Sequence, residues 1–293
     1  MNIKRQFSGY IFDIFNYLSL FFLTFLTLYP FIHVLMGSFS DPGKLFGYDG
    51  FMIVPRGFSF EGYVRVFQNE MIMRSFLNSV IYVVSGTGLC IVLTPMGGYV
   101  LSRKDFYWKP FLTVMLVIPM YFGGGLIAFY LWMNKLGMVN TIWALIIPGC
   151  IGTYNMILVR TNIKNIPIEM EESAKIDGAS QLVTLFIIIF PLILPIIAVI
   201  TLFQAVGLWN DWFNPSIFLH DRKMFPLQSI LREILIEDQT QNMVPGLIPK
   251  FKKENIDVVR YATIIISILP VICFYPFLQK YFVKGIMVGA IKG

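Results

Sequence analysis

The chain has few groups whose type and spacing would support chemistry. Its three cysteines, Cys90, Cys150 and Cys273, lie inside apolar runs and have neither metal-ligand spacing nor a disulfide framework. His33 and His220 do not fall at metal spacing from Glu or Cys, so no metal site is expected. No Gly-x-x-x-x-Gly-Lys-Ser/Thr loop occurs, so the chain has no phosphate cradle of that kind. A membrane-embedded enzyme would need a His/Glu or Ser/Lys constellation inside the apolar segments, and none is present. An ion-coupled transporter would place Asp or Glu there. Asp13, near the start of the first apolar run, is the only acid that comes close.

One polar segment is organised. It reads Ile166-Pro167-Ile168-Glu169-Met170-Glu171-Glu172-Ser173-Ala174-Lys175-Ile176-Asp177-Gly178-Ala179-Ser180. Pro167 suits a first helical turn. Glu169, Glu171 and Glu172 follow where the positive helix end favours acids. Gly178 suits a left-handed stop, and Ser180 can cap the next helix. The expectation is a short surface helix over about 167–178, with Met170, Ala174 and Asp177 along one side and Ser173 and Ile176 beside them. Small residues on that side would let another protein approach closely.

The elements that position this segment follow from composition. The chain has 293 residues, 56% hydrophobic and only 14% charged, against about 25% charged in soluble domains. That places it in the membrane class. A span needs about 20 mostly apolar residues. Six stretches qualify, at about 12–36, 75–101, 110–133, 141–160, 182–207 and 260–282. The first is too long for a signal peptide and no small-residue cleavage site follows it.

Even parity puts both termini on one side. Lys4, Arg5, Arg103, Lys104, Lys109, Arg160, Lys164, Lys175, Lys280, Lys284 and Lys292 share that side, whereas Lys44, Arg56, Arg65 and Lys135 fall in the opposite short loops. The positive-inside rule therefore predicts cytoplasmic termini, an external loop over 208–259 and a cytoplasmic tail over 283–293. The net charge of +6 is explained by those loops; no basic stretch is interleaved with base-stacking aromatics, which argues against a nucleic-acid partner. Within the external loop, Leu227, Ile230, Leu231, Ile234 and Leu235 form one helical face, which predicts a helix at the outer surface, with the polar stretch 237–242 facing outward.

Several of the apolar runs contain Pro and Gly: Pro95, Gly97 and Gly98; Pro119 with Gly123 to Gly125; Pro191 and Pro195; Pro270 and Pro276. Ordinary kinking and unwound segments along a polar pathway both fit this pattern. No internal repeat or flexible linker is seen, and 1–293 reads as one all-α membrane domain.

The segment 166–180 resembles the characteristic loop of binding-protein-dependent ABC importers, in which Glu-Ala-Ala is followed by Gly and then by Ile-x-Leu-Pro at fixed spacing. Here Glu172-Ser173-Ala174, Gly178 and Ile188-Ile189-Phe190-Pro191 keep that spacing, with Ser173 in place of Ala and Phe190 in place of Leu. Asn78-Ser79, Tyr99-Val100-Leu101-Ser102-Arg103, Leu136-Gly137-Met138-Val139-Asn140-Thr141 and the tail from Gln279 to Gly293 resemble maltose-type permeases. Trp209-Asn210-Asp211-Trp212 and Tyr275-Pro276-Phe277-Leu278-Gln279 resemble a subgroup linked to alginate and rhamnogalacturonan fragments, although Ala128 stands where that subgroup has Pro.

The resemblance implies a type I permease fold and a coupling helix that docks on an ATPase subunit through Glu169, Met170, Glu171, Glu172, Ser173, Ala174, Asp177 and Gly178. It also implies a second homologous permease, two ATP-binding cassette subunits carrying ATP and Mg, and an extracytoplasmic sugar-binding protein in a prokaryotic cytoplasmic membrane. The chain itself would be noncatalytic and hold no cofactor. Aromatic and amide groups at membrane depth then become candidates for a sugar pathway: Asn78, Tyr82, Tyr121, Asn155 and Gln204, with Trp209, Asn210 and Asp211 at the outer end of the fifth span. Helix–helix hydrogen bonding and interfacial anchoring are the ordinary alternatives for each.

Overall fold

The computed structural model describes residues 7–48, 50–241 and 256–290, and among them no strand forms. The helices are α1 (Phe7–Ser38), α2 (Pro42–Leu45), α3 (Glu61–Gln68), α4 (Glu70–Ser102), α5 (Lys109–Tyr121), α6 (Gly125–Lys135), α7 (Trp143–Ile146), α8 (Thr153–Lys164), α9 (Ile168–Ile176), α10 (Gln181–Val183), α11 (Phe190–Leu192), α12 (Leu194–Asn210), α13 (Phe213–Phe218), α14 (Leu227–Gln241) and α15 (Ile256–Ala290).

Among the described residues, three helical stretches are long and apolar enough to cross a membrane unbroken: Ile11–Ser38, Glu70–Ser102 and Asp257–Pro276. The other three expected spans are broken helices, and their breaks fall at the prolines and glycines. The stretch 110–133 is α5 and α6, parted after Tyr121 by residues 122–124. The stretch 141–160 is α7 and α8, parted around Pro148 and Gly149.

The stretch 182–207 is bent by 86° between Gln181–Leu192 and Leu194–Asn210. Proline has no N–H and its ring collides with the carbonyl four residues back. Pro191 and Pro195 therefore interrupt the ladder in succession. The chain accommodates the first with a wider π-helical turn, Thr184–Ile189, and turns the corner at Ile193, which leaves the helical region at φ −99°, ψ 10°. At the other end, the expected span 260–282 and tail are one helix to Ala290, with Pro270 and Pro276 inside it. The side chains of the polar stretch 237–242 and of the tail lie outside the described residues.

Two compact units are distinguished, residues 1–70 with 234–269, and residues 71–233 with 270–293. In the first, Leu45, Met52 and Val258 form a core bordered by Met36, Tyr48 and Tyr261. His33 lies between two phenols, Tyr29 at 3.2 Å and Tyr261 at 3.3 Å. The most apolar window of α1 is wholly exposed, as a helix surface facing lipid would be. In the second unit, Cys90, Tyr99, Val159, Ile163, Leu185, Ile189, Ile193, Ile197 and Ile200 pack the bent pair against α4 and α8. The approach of α4 to α8 requires Gly98, where a Cβ would come within 2.6 Å of Val159 Cγ1 and 3.1 Å of the Arg160 amide nitrogen.

Candidate coupling surface and polar pathway

The organised segment is a helix stopped on both sides by backbone chemistry. Pro167 stands at the N-cap of α9 with an extended ψ of 131°. At the far end Gly178 takes φ +79°. The Ala179 amide donates to the Ala174 carbonyl at 2.9 Å, and the Gly178 amide donates to the Lys175 carbonyl at 3.1 Å. This pair is a Schellman stop, which satisfies carbonyls that the helix end would orphan. Ser180 then accepts from the Val183 amide at 3.4 Å, capping the helix that leads into the bent pair.

Burial sorts the eight expected docking residues into two sets. Ala174 is buried, packed into the chain itself rather than available on an outer face. Glu171 is only part-exposed and ion-pairs with Arg103, just past the end of α4. Glu169, Met170, Glu172, Ser173, Asp177 and Gly178 are exposed, with Ile168 and Ile176 beside them. The free face is thus acidic with an apolar rim. Of the expected side of Met170, Ala174 and Asp177, Met170 and Asp177 are exposed, whereas Ala174 is turned inward on the α9 surface that faces the Thr184–Ile189 turn.

Arg103 does more than balance charge. Its guanidinium donates to Gln181 Oε1 at 2.8 Å, to which the Tyr99 hydroxyl also donates at 2.8 Å. It lies 4.1 Å from the centroid of the Tyr99 ring. The end of α4, helix α9 and the start of α10 are therefore tied by one cation. Sequence reading treats Arg103 only as a topology charge. Its place in the quoted Tyr99–Arg103 stretch is the one signal that could have singled it out.

The candidate pathway residues divide into two groups. Asn78 donates to the carbonyls of Lys223 at 2.8 Å and Phe225 at 3.1 Å, and the Tyr82 hydroxyl donates to the Met224 carbonyl at 2.7 Å. Ser79, next to them, accepts from the Leu227 amide at 2.8 Å. Asn210 accepts from the Gln228 side chain at 3.3 Å, and buried Trp209 meets Phe76 edge-on at 5.7 Å. These residues gather where α4, α12 and the start of α14 meet, and Asn78 and Tyr82 bond backbone carbonyls of the loop. Asp211, just before α13, accepts from the Asn214 amide at 3.1 Å and from its side-chain amide at 2.8 Å.

The second group lies at the break between α7 and α8. Gln204 donates to the Gly149 carbonyl at 2.9 Å, satisfying a group the broken helix leaves free. Asn155 sits beside Gly152. Tyr121 joins neither group; it is exposed at the broken end of α5.

A model of the family described as binding-protein-dependent transport system inner membrane component matches residues 91–288. The chain belongs to that family. It is a permease, the noncatalytic membrane part of an ABC importer. Protein LplC of Bacillus subtilis (strain 168) is 35% identical, over 98% of this chain and 96% of that protein. The polygalacturonan/rhamnogalacturonan transport system permease protein YtcP of the same strain is also 35% identical, over 97% of this chain and 99% of its own. A solved structure of a bacterial ABC transporter involved in the import of the acidic polysaccharide alginate contains a chain of the same fold, with TM-score 0.86, 28% identity, and coverage of 96% of this permease and 100% of that chain.

Proposed function

We propose that the permease imports an oligosaccharide or polysaccharide fragment, driven by a pair of ATPase subunits, one of which docks on the exposed face of α9. The carrying observation is the geometry of α9: a helix stopped at both ends, held to α4 by Arg103, continuous with the bent pair, and presenting Glu169, Met170, Glu172, Ser173 and Asp177 outward. A push on such a helix moves two spans together. The carboxylates would meet Arg or Lys on the ATPase. The substrate class is supported by the names of the relatives, which include polygalacturonan/rhamnogalacturonan and arabinooligosaccharide permeases. The loop charges support termini and α9 on the cytoplasmic side, and a second permease and an extracytoplasmic binding protein complete the assembly.

The test is uptake of labelled uronate oligomers into proteoliposomes holding the assembled complex and its binding protein. Uptake should require internal or external ATP at the ATPase side and stop without the ATPase subunits. Uptake driven by an ion gradient without them would favour a secondary transporter instead.

A further inference from the structure

We propose that Lys109, Arg160 and Lys164, with Lys104 at their edge, form a binding site for the phosphate headgroup of an anionic phospholipid. Lys109 opens α5, and Arg160 and Lys164 stand one turn apart in the last turns of α8, so they share a face of that helix. α5 packs against α8. The Lys109 ammonium donates to the Arg103 carbonyl at 2.6 Å, which fixes it beside the end of α4. Burial and the charges of Lys164 and Arg160 hold it below its ordinary range, with Asp105 acting the other way and Lys104 adding to the repulsion. Glu171, the other carboxylate near the end of α4, is engaged by Arg103. The cluster is thus a group of cations in excess of the nearby carboxylates, with Lys109 held in place by backbone.

Its surroundings identify the anion as lipid rather than soluble. Tyr107, Trp108 and Phe111 are exposed immediately beside Lys109, and their rings stack edge-on, Tyr107 on Trp108 at 5.7 Å and Trp108 on Phe111 at 6.1 Å. Exposed Trp and Tyr beside Lys and Arg at the end of an apolar helix are what a headgroup layer selects. Basic pockets between helix ends bind anionic headgroups by the same balance of charge and depth. No side chain caps the first turn of α5, so its positive end adds to the field. The proposal rests on the permease lying in the membrane, not on its substrate or on ATP.

The experiment compares the purified importer complex with a Lys109→Gln/Lys164→Gln double variant, after reconstitution in nanodiscs of phosphatidylcholine with one quarter phosphatidylglycerol. Lipid retained through detergent exchange is counted by native mass spectrometry. Each lost cation near the surface should weaken headgroup binding about fivefold, so the variant should retain phosphatidylglycerol at least tenfold less tightly. Lys109→Arg/Lys164→Arg should keep it, and Lys135→Gln/Lys223→Gln should change nothing. Equal retention by wild type and the Gln variant, or equal retention of phosphatidylcholine and phosphatidylglycerol by wild type, overturns the site. If the Gln variant fails to assemble, the comparison of the two lipids on wild type alone decides. Lipid retention requires neither sugar nor hydrolysis, so its failure leaves the transport reading untouched, and a failed uptake assay leaves the lipid site untouched.

Discussion

Arg103 and Glu171, 68 residues apart in the chain, form an ion pair that ties the end of α4 to α9. The side chains retain 26% and 16% of their exposure, so the pair is partly shielded from water. Removal of Arg103 leaves two groups behind, because Arg103 also holds Gln181.

Arg103→Ala should therefore destabilise the attachment of α9 by about 1.5–3 kcal/mol, the range for a hydrogen bond to a charged group. Sugar-stimulated ATPase activity should fall while basal hydrolysis remains. Glu171→Arg combined with Arg103→Glu should recover part of the loss, and a double-mutant cycle measures that coupling. Equal stimulation in wild type and Arg103→Ala would mean that α9 is held by its other contacts alone.

The loop between α13 and α14 supplies a second prediction. Ser79 accepts the buried Leu227 amide, and Tyr82 reaches the Met224 carbonyl. Ser79→Ala orphans a donor at the start of α14, at a cost of about 1–3 kcal/mol. Tyr82→Phe removes one bond without a cavity and should cost less, about 0.5–1.5 kcal/mol. Limited proteolysis of the purified protein should cut the Ser79→Ala variant faster around residues 220–228. The Arg222 side chain, 3.1 Å from Glu233, and Arg232, 3.9 Å from the centre of the Trp212 ring, should slow but not prevent it.

The limits of α9 are legible in the sequence because they are set locally. Pro167 disfavours a helical residue before it and Gly178 permits positive φ, so both ends follow from single residues. The breaks in three spans fall at Pro and Gly positions, but the same signal at Pro95, Pro270 and Pro276 leaves α4 and α15 unbroken, and the 86° bend is not legible at all. Its size depends on how the Thr184–Ile189 turn packs on Val159 and Ile163. The roles of Asn78 and Tyr82 escape sequence reading in a more instructive way. A polar residue inside an apolar run announces that it has a partner, yet the partners here are main-chain carbonyls more than a hundred residues away, and carbonyls carry no residue type to recognise. Ala174 fails differently: its small size is equally suited to an outer contact and to a tight inner one, and only packing decides.

Orientation can be read by labelling. Lys223→Cys lies on an exposed turn between α13 and α14, and Lys175→Cys on the exposed side of α9. In intact cells a membrane-impermeant maleimide should modify position 223 and spare position 175. Permeabilised cells should label both. Cys273 is exposed on α15, so each variant is built on a Cys273→Ala background. Labelling of 175 in intact cells would place α9 outside and remove the docking argument.

Gly178 carries the most direct test of coupling. Its φ of +79° is the conformation that closes the Schellman stop, and no atom outside its neighbours lies within 4 Å of where a Cβ would stand. Space is therefore not the constraint; backbone conformation is. A β-branched residue there costs about 1–2 kcal/mol of strain, and the chain can relieve it by letting φ return to negative values. That would break the bonds from Ala179 to Ala174 and from Gly178 to Lys175 and lengthen or swing the end of α9. Gly178→Val should insert and span normally, since no span residue is changed, yet lose ATP-driven uptake by at least tenfold. Gly178→Asn, which tolerates positive φ better, should retain more. Glu172→Lys reverses charge on the exposed face without touching the stop, so it should weaken ATPase attachment while leaving α9 in place. Measuring subunit stoichiometry beside uptake separates the two failures: Gly178→Val is expected to keep its ATPase partners but not couple them, and Glu172→Lys to shed them. Full subunit content with wild-type uptake in Gly178→Val would mean that α9 does not transmit the stroke.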